Sequence, residues 1–397
     1  MSKLIYESVQ KAAERLGVSP RAVQKRAAQG KIPGAVKEGR DWRIPVSDIS
    51  TAESSDTAEK KSVPEAYRTT MHLLDSTHAP GDCLKHIYKI DDKDDRNVAL
   101  GQYYFFSGES QKAVEILEPY LGSSDVALKY SASFFSMFSY VTTGQLHLAK
   151  YAMNSLYDQV KAGLHPLAPP ELKAVCVFTG TACSVMFHLP TPPLPPLEEH
   201  VKYLNGGIKY WACYVLAHKA YNEKNYERCV AIADIALAMQ SKQYVITSIY
   251  LHIVAAMGLI NLKRVEDAKK HIMDAWSIAE PDNIVCPFGE HHPLLQGLIE
   301  VCFKKERPEE YDKMISIAQS FRSNWSKMGA DSYDSEAANQ LTATEFTVAM
   351  LYNRNWSAQE IAAHMNLSEH TVRGYIKNIY AKLSIKDKNG LKKYMIN

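Results

Sequence analysis

The chain has 397 residues, too many for one ordinary domain, and its 46% hydrophobic and 23% charged residues exclude a disordered or fibrous protein. The formal net charge of +2 conceals an asymmetry, because residues 1–50 carry +5 and residues 340–397 carry +4 around a body of −7. Short basic ends on an acidic body suit a phosphate backbone, where Lys and Arg displace condensed counterions, although basic tails of any kind would show the same balance.

The seven cysteines form no C-x-x-C pair, and the first residues lack the charged region, apolar stretch and cleavage site of a leader. A reduced, cytoplasmic setting is therefore expected. The longest apolar stretches, Ala174 to Phe187 and Tyr244 to Ile260, fall short of the roughly 18 to 20 residues that span a bilayer, so no membrane partner is expected.

In chain order, a helix from Ser8 to Leu16 ends at Gly17, and a second opens at Ser19-Pro20, an N-cap followed by proline at the first helical position, and closes at Gly30. Val18, Val23 and Ala27 face inward on that spacing. Arg21, Gln24, Lys25 and Gln29 face outward, with Arg26 at a flank. The stretch IPGAVKEGRDWRIP reads as a β-hairpin turning at Glu38-Gly39, with Val36, Trp42 and Ile44 alternating with polar residues. Helix, turn, helix and basic wing resemble the winged-helix modules of MerR and phage-excisionase type over residues 4–49. The resemblance implies a DNA-binding domain, 1–50, in which Arg21, Gln24 and Lys25 enter the major groove, with Arg26 beside them, and Arg40 and Arg43 reach phosphates or the minor groove. The long coiled coil that dimerises MerR proteins is missing, and a protein-docking role is the alternative for this module.

STAESSDTAEKKSVP has the composition of a linker, 51–64, and GADSYDSEAANQ marks a second, 329–340. Between them, residues 65–328 are helical by period and repeat: Gly108 precedes Ala113 by five, and Gly144 precedes Ala149 by five. Weaker copies place Asn225 with Val230 and Lys263 with Ala268, 38 residues apart. This pattern resembles tetratricopeptide-like repeats, which implies an α-solenoid offering a concave surface to a small molecule, peptide or protein. Tyr103, Tyr104, Phe105, Trp211 and Tyr214 either line such a surface or form core. The cluster LPTPPLPP, Leu189 to Pro196, cannot be helical and must interrupt the stack.

Residues 341–397 show three capped helix starts: Thr342 with Glu345, Ser357 with Glu360, and Ser368. In the third helix Val372, Ile376, Ile379 and Leu383 form an apolar stripe, which leaves His370, Gly374, Lys377, Asn378 and Ala381 opposite it and Thr371 and Arg373 at its flanks. A small, polar, basic face on a helix after a short turn suits the major groove of double-stranded DNA. Residues 341 to 388 resemble the LuxR/GerE helix-turn-helix, carried by Glu360-Ile361-Ala362, Leu367-Ser368, Thr371-Val372-Arg373 and Lys382-Leu383. The resemblance implies a four-helix bacterial DNA-binding domain. Arg373 and Lys377 would be its groove contacts, and Thr371, Tyr375 and Asn378 would lie near the backbone. A last helix from about Lys388 to Ile396 would pair two subunits through Leu391, Tyr394 and Met395. Gly374 departs from the family, which usually carries a base-reading side chain there, and Asn355 stands where its turn usually carries Gly.

Neither G-x-x-x-x-G-K-[ST] nor G-x-G-x-x-G occurs, so no nucleotide cofactor is expected. Asp91, Asp92, Asp94 and Asp95 lack the Gly and distal Glu of an EF-hand and read as a solvated loop. Glu290-His291-His292 lacks the spacing of a zinc site, so no metal is expected, and Cys176 and Cys183 share a helix face as core thiols. No nucleophile with an ordered base is visible, so an enzyme is not expected. The sequence reads as a mainly α, one-component transcription regulator, a homodimer on promoter DNA, controlled by a ligand or partner at its repeat domain. The alternative is a DNA-tethered interaction scaffold without switching.

Overall fold

The computed structural model describes residues 6–16, 19–28, 32, 35–39, 41–45, 71–327 and 340–395. Of the two expected linkers, 51–64 and all of 329–340 but Gln340 lie outside them. By contact the chain divides into two units, Met1–Ser62 and Val63–Asn397.

The first unit runs β1 (Tyr6–Ser8), α1 (Val9–Leu16), α2 (Pro20–Ala28), β2 (Val36–Glu38) and β3 (Asp41–Pro45). Ser8 Oγ accepts from the Lys11 amide at 3.4 Å and Ser19 Oγ from the Ala22 amide at 3.3 Å, so each helix opens on a serine. The strands form an antiparallel sheet in the order β1-β3-β2, with Glu7 opposite Ile44 and Lys37 opposite Trp42. Strand β1 is absent from the sequence reading because three residues are too few to show alternation. Val23, Ala27 and Ile44 enter the core with Val9, Ala12, Ala13 and Ile32, whereas Val18 lies outside the described residues. Val36 does not join them. It is 46% exposed, since α1 and α2 pack on β3 while β2 is the far edge.

The second unit begins with α3 (His72–Asp75), α4 (Cys83–Ile87), α5 (Lys93–Phe106), α6 (Ser110–Leu117), α7 (Val126–Thr142), α8 (Leu146–Gly163), α9 (Pro170–Phe187) and α10 (Leu197–His200). It continues with α11 (Gly206–Asn222), α12 (Tyr226–Ala238), α13 (Val245–Asn261), α14 (Val265–Ala279), α15 (Cys286–His291), α16 (Leu298–Phe303) and α17 (Pro308–Lys327). The pairs α5/α6, α7/α8, α11/α12 and α13/α14 are hairpins closed by one left-handed residue: Gly108 (φ 78°), Gly144 (φ 76°), Lys224 (φ 61°) and Lys263 (φ 58°). In each, the next amide reaches back to a helical carbonyl: Glu109 to Tyr104, Gln145 to Tyr140, Asn225 to Ala220 and Arg264 to Leu259, at 2.8 to 3.0 Å. The third hairpin corrects the sequence alignment by one residue. Lys224, not Asn225, takes the left-handed turn, and Cys229, not Val230, takes the small-residue place beside Ala113, Ala149 and Ala268, all fully buried. Asn225 instead caps α12, accepting from the Arg228 amide at 3.1 Å.

Leu189 to Pro196 carry no helix, as the prolines dictate. The acidic run is not a loop: Asp92 caps α5, accepting from the Asp94 and Asp95 amides at 2.9 and 2.8 Å. Phe105, Trp211 and Tyr214 are core. Cys176 and Cys183 are buried, and burial pushes both thiols up to about 12, which suits packing rather than reactivity. Among the described residues no helix is long and apolar enough to cross a membrane.

Candidate nucleic-acid interface

The C-terminal module comprises α18 (Ala343–Asn353), α19 (Ala358–Met365), α20 (Glu369–Lys382) and a 3-10 helix, Lys388–Lys393. Both expected capping boxes form: Glu345 N donates to Thr342 Oγ1 at 3.2 Å while Thr342 N donates to Glu345 Oε2 at 2.9 Å, and Ser357 and Glu360 do the same at 3.1 and 2.7 Å. Ser368 caps α20, accepting from the Thr371 amide at 3.0 Å. Asn355 closes the turn after α18 with φ 65°, supplying the left-handed geometry without glycine. Glu345 also receives Lys382 Nζ at 2.6 Å, which ties the end of α20 to the start of α18.

Helix α20 buries Val372, Ile379 and Leu383, with Ile376 half-buried beside them. His370, Thr371, Arg373, Gly374, Lys377, Asn378 and Ala381 are exposed on the other side. Tyr375 is the departure: it is half-buried against the core, so less of its ring is available to a ligand than its helix position implies. Arg373 is already engaged. Its Nε lies 3.0 Å from Glu369 Oε1, a pair the sequence reading missed although its i,i+4 spacing was visible. Exposed pairs of this kind contribute about 0.3–0.5 kcal/mol, little enough for a phosphate or base edge to displace Glu369. An added side-chain carbon at Gly374 would meet nothing within 4 Å, so packing does not require glycine there.

The expected subunit-pairing residues are a correction. The last element is a 3-10 helix packed on α18; Leu391 within it and Met395 just beyond it are fully buried, and Tyr394 lines a cavity. Apolar side chains sealed inside one chain cannot form a dimer face in this arrangement.

The module's other side is docked on the repeat region. His364 Nε2 lies 2.8 Å from the Gln296 carbonyl, Thr347 Oγ1 donates to Glu300 Oε1 at 2.9 Å, and His292 Nε2 lies 2.9 Å from that same oxygen. Burial pushes the Glu300 carboxyl up, but His292 and these hydrogen bonds hold it below the usual carboxylate range. Lys263 Nζ reaches Glu360 Oε1 at 2.6 Å, and Arg354 bonds the Asn261 side chain. Gly297, at φ 87°, lets the chain turn under α18 and α19: a side chain there would come within 3.2 Å of Thr347 and His364. Residues of the Glu290-His291-His292 run go separate ways, Glu290 to Tyr250 Oη at 2.7 Å, His291 to Tyr214 Oη at 2.7 Å and His292 to Glu300.

In the first unit Arg21, Gln24 and Lys25 are exposed along α2. Arg43 is exposed on β3 and paired with Glu38 Oε2 at 3.1 Å across the hairpin. The Arg26 side chain and all of Arg40 lie outside the described residues.

Residues 8–51 match the family described as helix-turn-helix domain, and residues 339–395 match bacterial regulatory proteins, luxR family. The chain carries two helix-turn-helix domains. The second, of luxR type, contains all of α18 to α20, and the two together make the chain a DNA-binding transcription regulator with double-stranded DNA as its partner. The luxR-family match begins only at residue 339 and the other ends at residue 51, so the tetratricopeptide-like reading of the middle rests on its hairpins alone. No curated protein matches the chain.

Proposed function

We propose that the chain is a one-component transcription regulator that reads promoter DNA with α20 of its luxR-family domain and is controlled through the repeat region on which that domain is docked. The observation that supports this reading is the two-sidedness of the domain: a basic, polar face exposed on α20, and an opposite side held by buried hydrogen bonds to Gln296 and Glu300. Arg373 and Lys377 are the groove contacts, His370, Thr371, Gly374 and Asn378 meet the backbone or base edges, and Tyr375 contributes at most its ring edge. Arg21, Gln24 and Lys25 of the first unit, with Arg43, make a second contact. The protein acts in the cytoplasm, without catalysis. Two chains occupy two-fold half-sites, joined by a surface other than Leu391 and Met395.

Binding of the purified full-length protein to genomic fragments, at fixed salt, tests this against Arg373→Ala with Lys377→Ala. The full-length protein is expected to enrich a palindromic site that the double variant loses. Equal enrichment by both proteins overturns the reading of α20. Affinity indifferent to anything bound at the repeat region would instead favour a DNA-tethered scaffold.

A further inference from the structure

Between the repeat region and the luxR-family domain lies a cavity of about 300 Å³, within the range of small-molecule sites. Helices α9, α11, α12, α15 and α17 supply most of its wall, and Phe346, Arg354 and Tyr394 of the DNA-binding domain complete it. The wall is aromatic. Phe321 and Trp325 stack with centroids 5.4 Å apart at 17°, and Phe187 and Tyr221 face the same space.

Two guanidinium groups break this apolar surface. Arg322 lies over the Phe346 ring at 4.4 Å, and Arg354 stands 5.9 Å from the Tyr221 ring. The Nε of each is buried without a hydrogen-bond partner, and neither has a carboxylate within ion-pair distance among the described residues. Both side chains are half-buried, and Arg354 spends one of its donors on Asn261, so two partly desolvated cations without a counter-charge favour an anion between them. Arginine's planar fork matches a carboxylate in two parallel hydrogen bonds. The Glu290 carboxyl on the same wall, which burial raises to about 7 so that it is part-ionised at neutral pH, disfavours a dianion such as a phosphate monoester.

We propose that this cavity binds a small aromatic carboxylate, its ring against the Phe321–Trp325 stack and its carboxylate on Arg322 and Arg354. The ligand would touch both the repeat region and the DNA-binding domain, so it binds the docked arrangement more tightly than any other and holds it. This deepens the ligand-controlled reading above and rests on it only for the consequence at DNA.

Titration calorimetry of the full chain with benzoate, phenylacetate and indole-3-acetate, beside phenylacetamide, indole-3-acetamide and phenyl phosphate, tests the site. At least one carboxylate is expected to bind one per chain, with its amide weaker by about tenfold or more, the loss of one charge-assisted hydrogen-bond pair. Arg322→Gln should weaken binding by a similar factor. Ala318→Phe, which fills the cavity from α17, should abolish binding while thermal unfolding stays unchanged, and it carries the test if Arg322→Gln folds poorly. No carboxylate binding at millimolar concentration, amides binding equally well, tighter binding of phenyl phosphate, or undiminished binding to Ala318→Phe each overturns the site. A carboxylate that binds and leaves promoter affinity unchanged upholds the site and refutes ligand control. Loss of DNA binding in the Arg373 and Lys377 variant with no carboxylate bound upholds the α20 reading and refutes the site.

Discussion

The two helix-turn-helix domains solve the same local problem with opposite tertiary commitments. Each opens its outward basic helix on a serine cap, Ser19 before α2 and Ser368 before α20, and each leaves Lys and Arg exposed along it. The first unit then closes on itself around a core of small side chains, Val9, Ala12, Ala13, Val23, Ala27, Ile32 and Ile44. The luxR-family domain does not. Its buried residues, from Leu341 through Leu351 to Met395, belong to one continuous core with the repeat region, and hydrogen bonds to Gln296 and Glu300 cross the junction. A self-contained reader can only add affinity. A reader whose core is shared can be governed by whatever changes the shared core.

The sharpest way to break this contrast is to strip each basic helix in turn. Arg373→Ala with Lys377→Ala removes groove contacts expected to contribute about 1–3 kcal/mol each and should relax sequence preference. Arg21→Ala with Lys25→Ala should weaken binding by less, nearly uniformly across sequences, and make the salt dependence shallower by about two phosphate contacts. Binding titrations at several salt concentrations measure both. Comparable loss of preference from the two pairs would mean that both helices read bases.

The next largest effect concerns the shared core. Glu300→Ala leaves the buried His292 ring and the Thr347 hydroxyl without their common partner, and should destabilise the second unit by about 2–4 kcal/mol in urea unfolding. A change below about 0.5 kcal/mol, the scale of an ordinary surface substitution, would show that the domain is not held by this junction.

What the sequence discloses follows the range of the interaction. The capping boxes at Thr342 and Ser357, the inward stripe of α20 and the glycine turns at Gly108 and Gly144 are local, and all are legible from spacing. The third repeat is off by one because Lys224 adopts left-handed geometry that its side chain does not advertise, beside an Asn that does. Leu391 and Met395 read as a dimer face from sequence because an apolar pair looks the same whether it meets another chain or its own core, which is where the fold buries them. Nothing in the sequence joins Arg322 to Arg354, or Glu300 to Thr347, since those neighbours are brought together only by the fold.

A comparable effect separates the interior of the shared core from its surface. Burial raises the Glu290 carboxyl to about 7, although Tyr250 and Cys286 hydrogen bonds oppose the shift. The folded chain then keeps a proton that the unfolded chain releases above about 4.5, so this group subtracts stability as pH rises from about 4.5 to 7. Glu290→Gln, equal to the parent at pH 4, should therefore be the more stable of the two at pH 8 by about 3 kcal/mol. His291, which burial lowers to about 4, makes stability fall with acid between pH 6.5 and 4 in both proteins, so the difference between their unfolding curves isolates Glu290. A difference that does not change with pH would place the Glu290 proton elsewhere.

The smallest expected effect bears on why α20 carries a glycine at its centre. Gly374 weakens the helix by about 1 kcal/mol relative to alanine, and no neighbour within 4 Å demands the missing side chain. The fold alone thus favours Gly374→Ala, which should raise the stability of the second unit by up to about 1 kcal/mol. The exposed position between Arg373 and Lys377 suggests what opposes that gain: a bare backbone brings the helix axis nearer to the groove floor, and a methyl group would hold it off. Promoter affinity should therefore fall in Gly374→Ala by about fivefold as stability rises, roughly 1 kcal/mol in each direction. If affinity and stability rise together, the glycine serves no close approach, and α20 reads DNA through Arg373 and Lys377 alone.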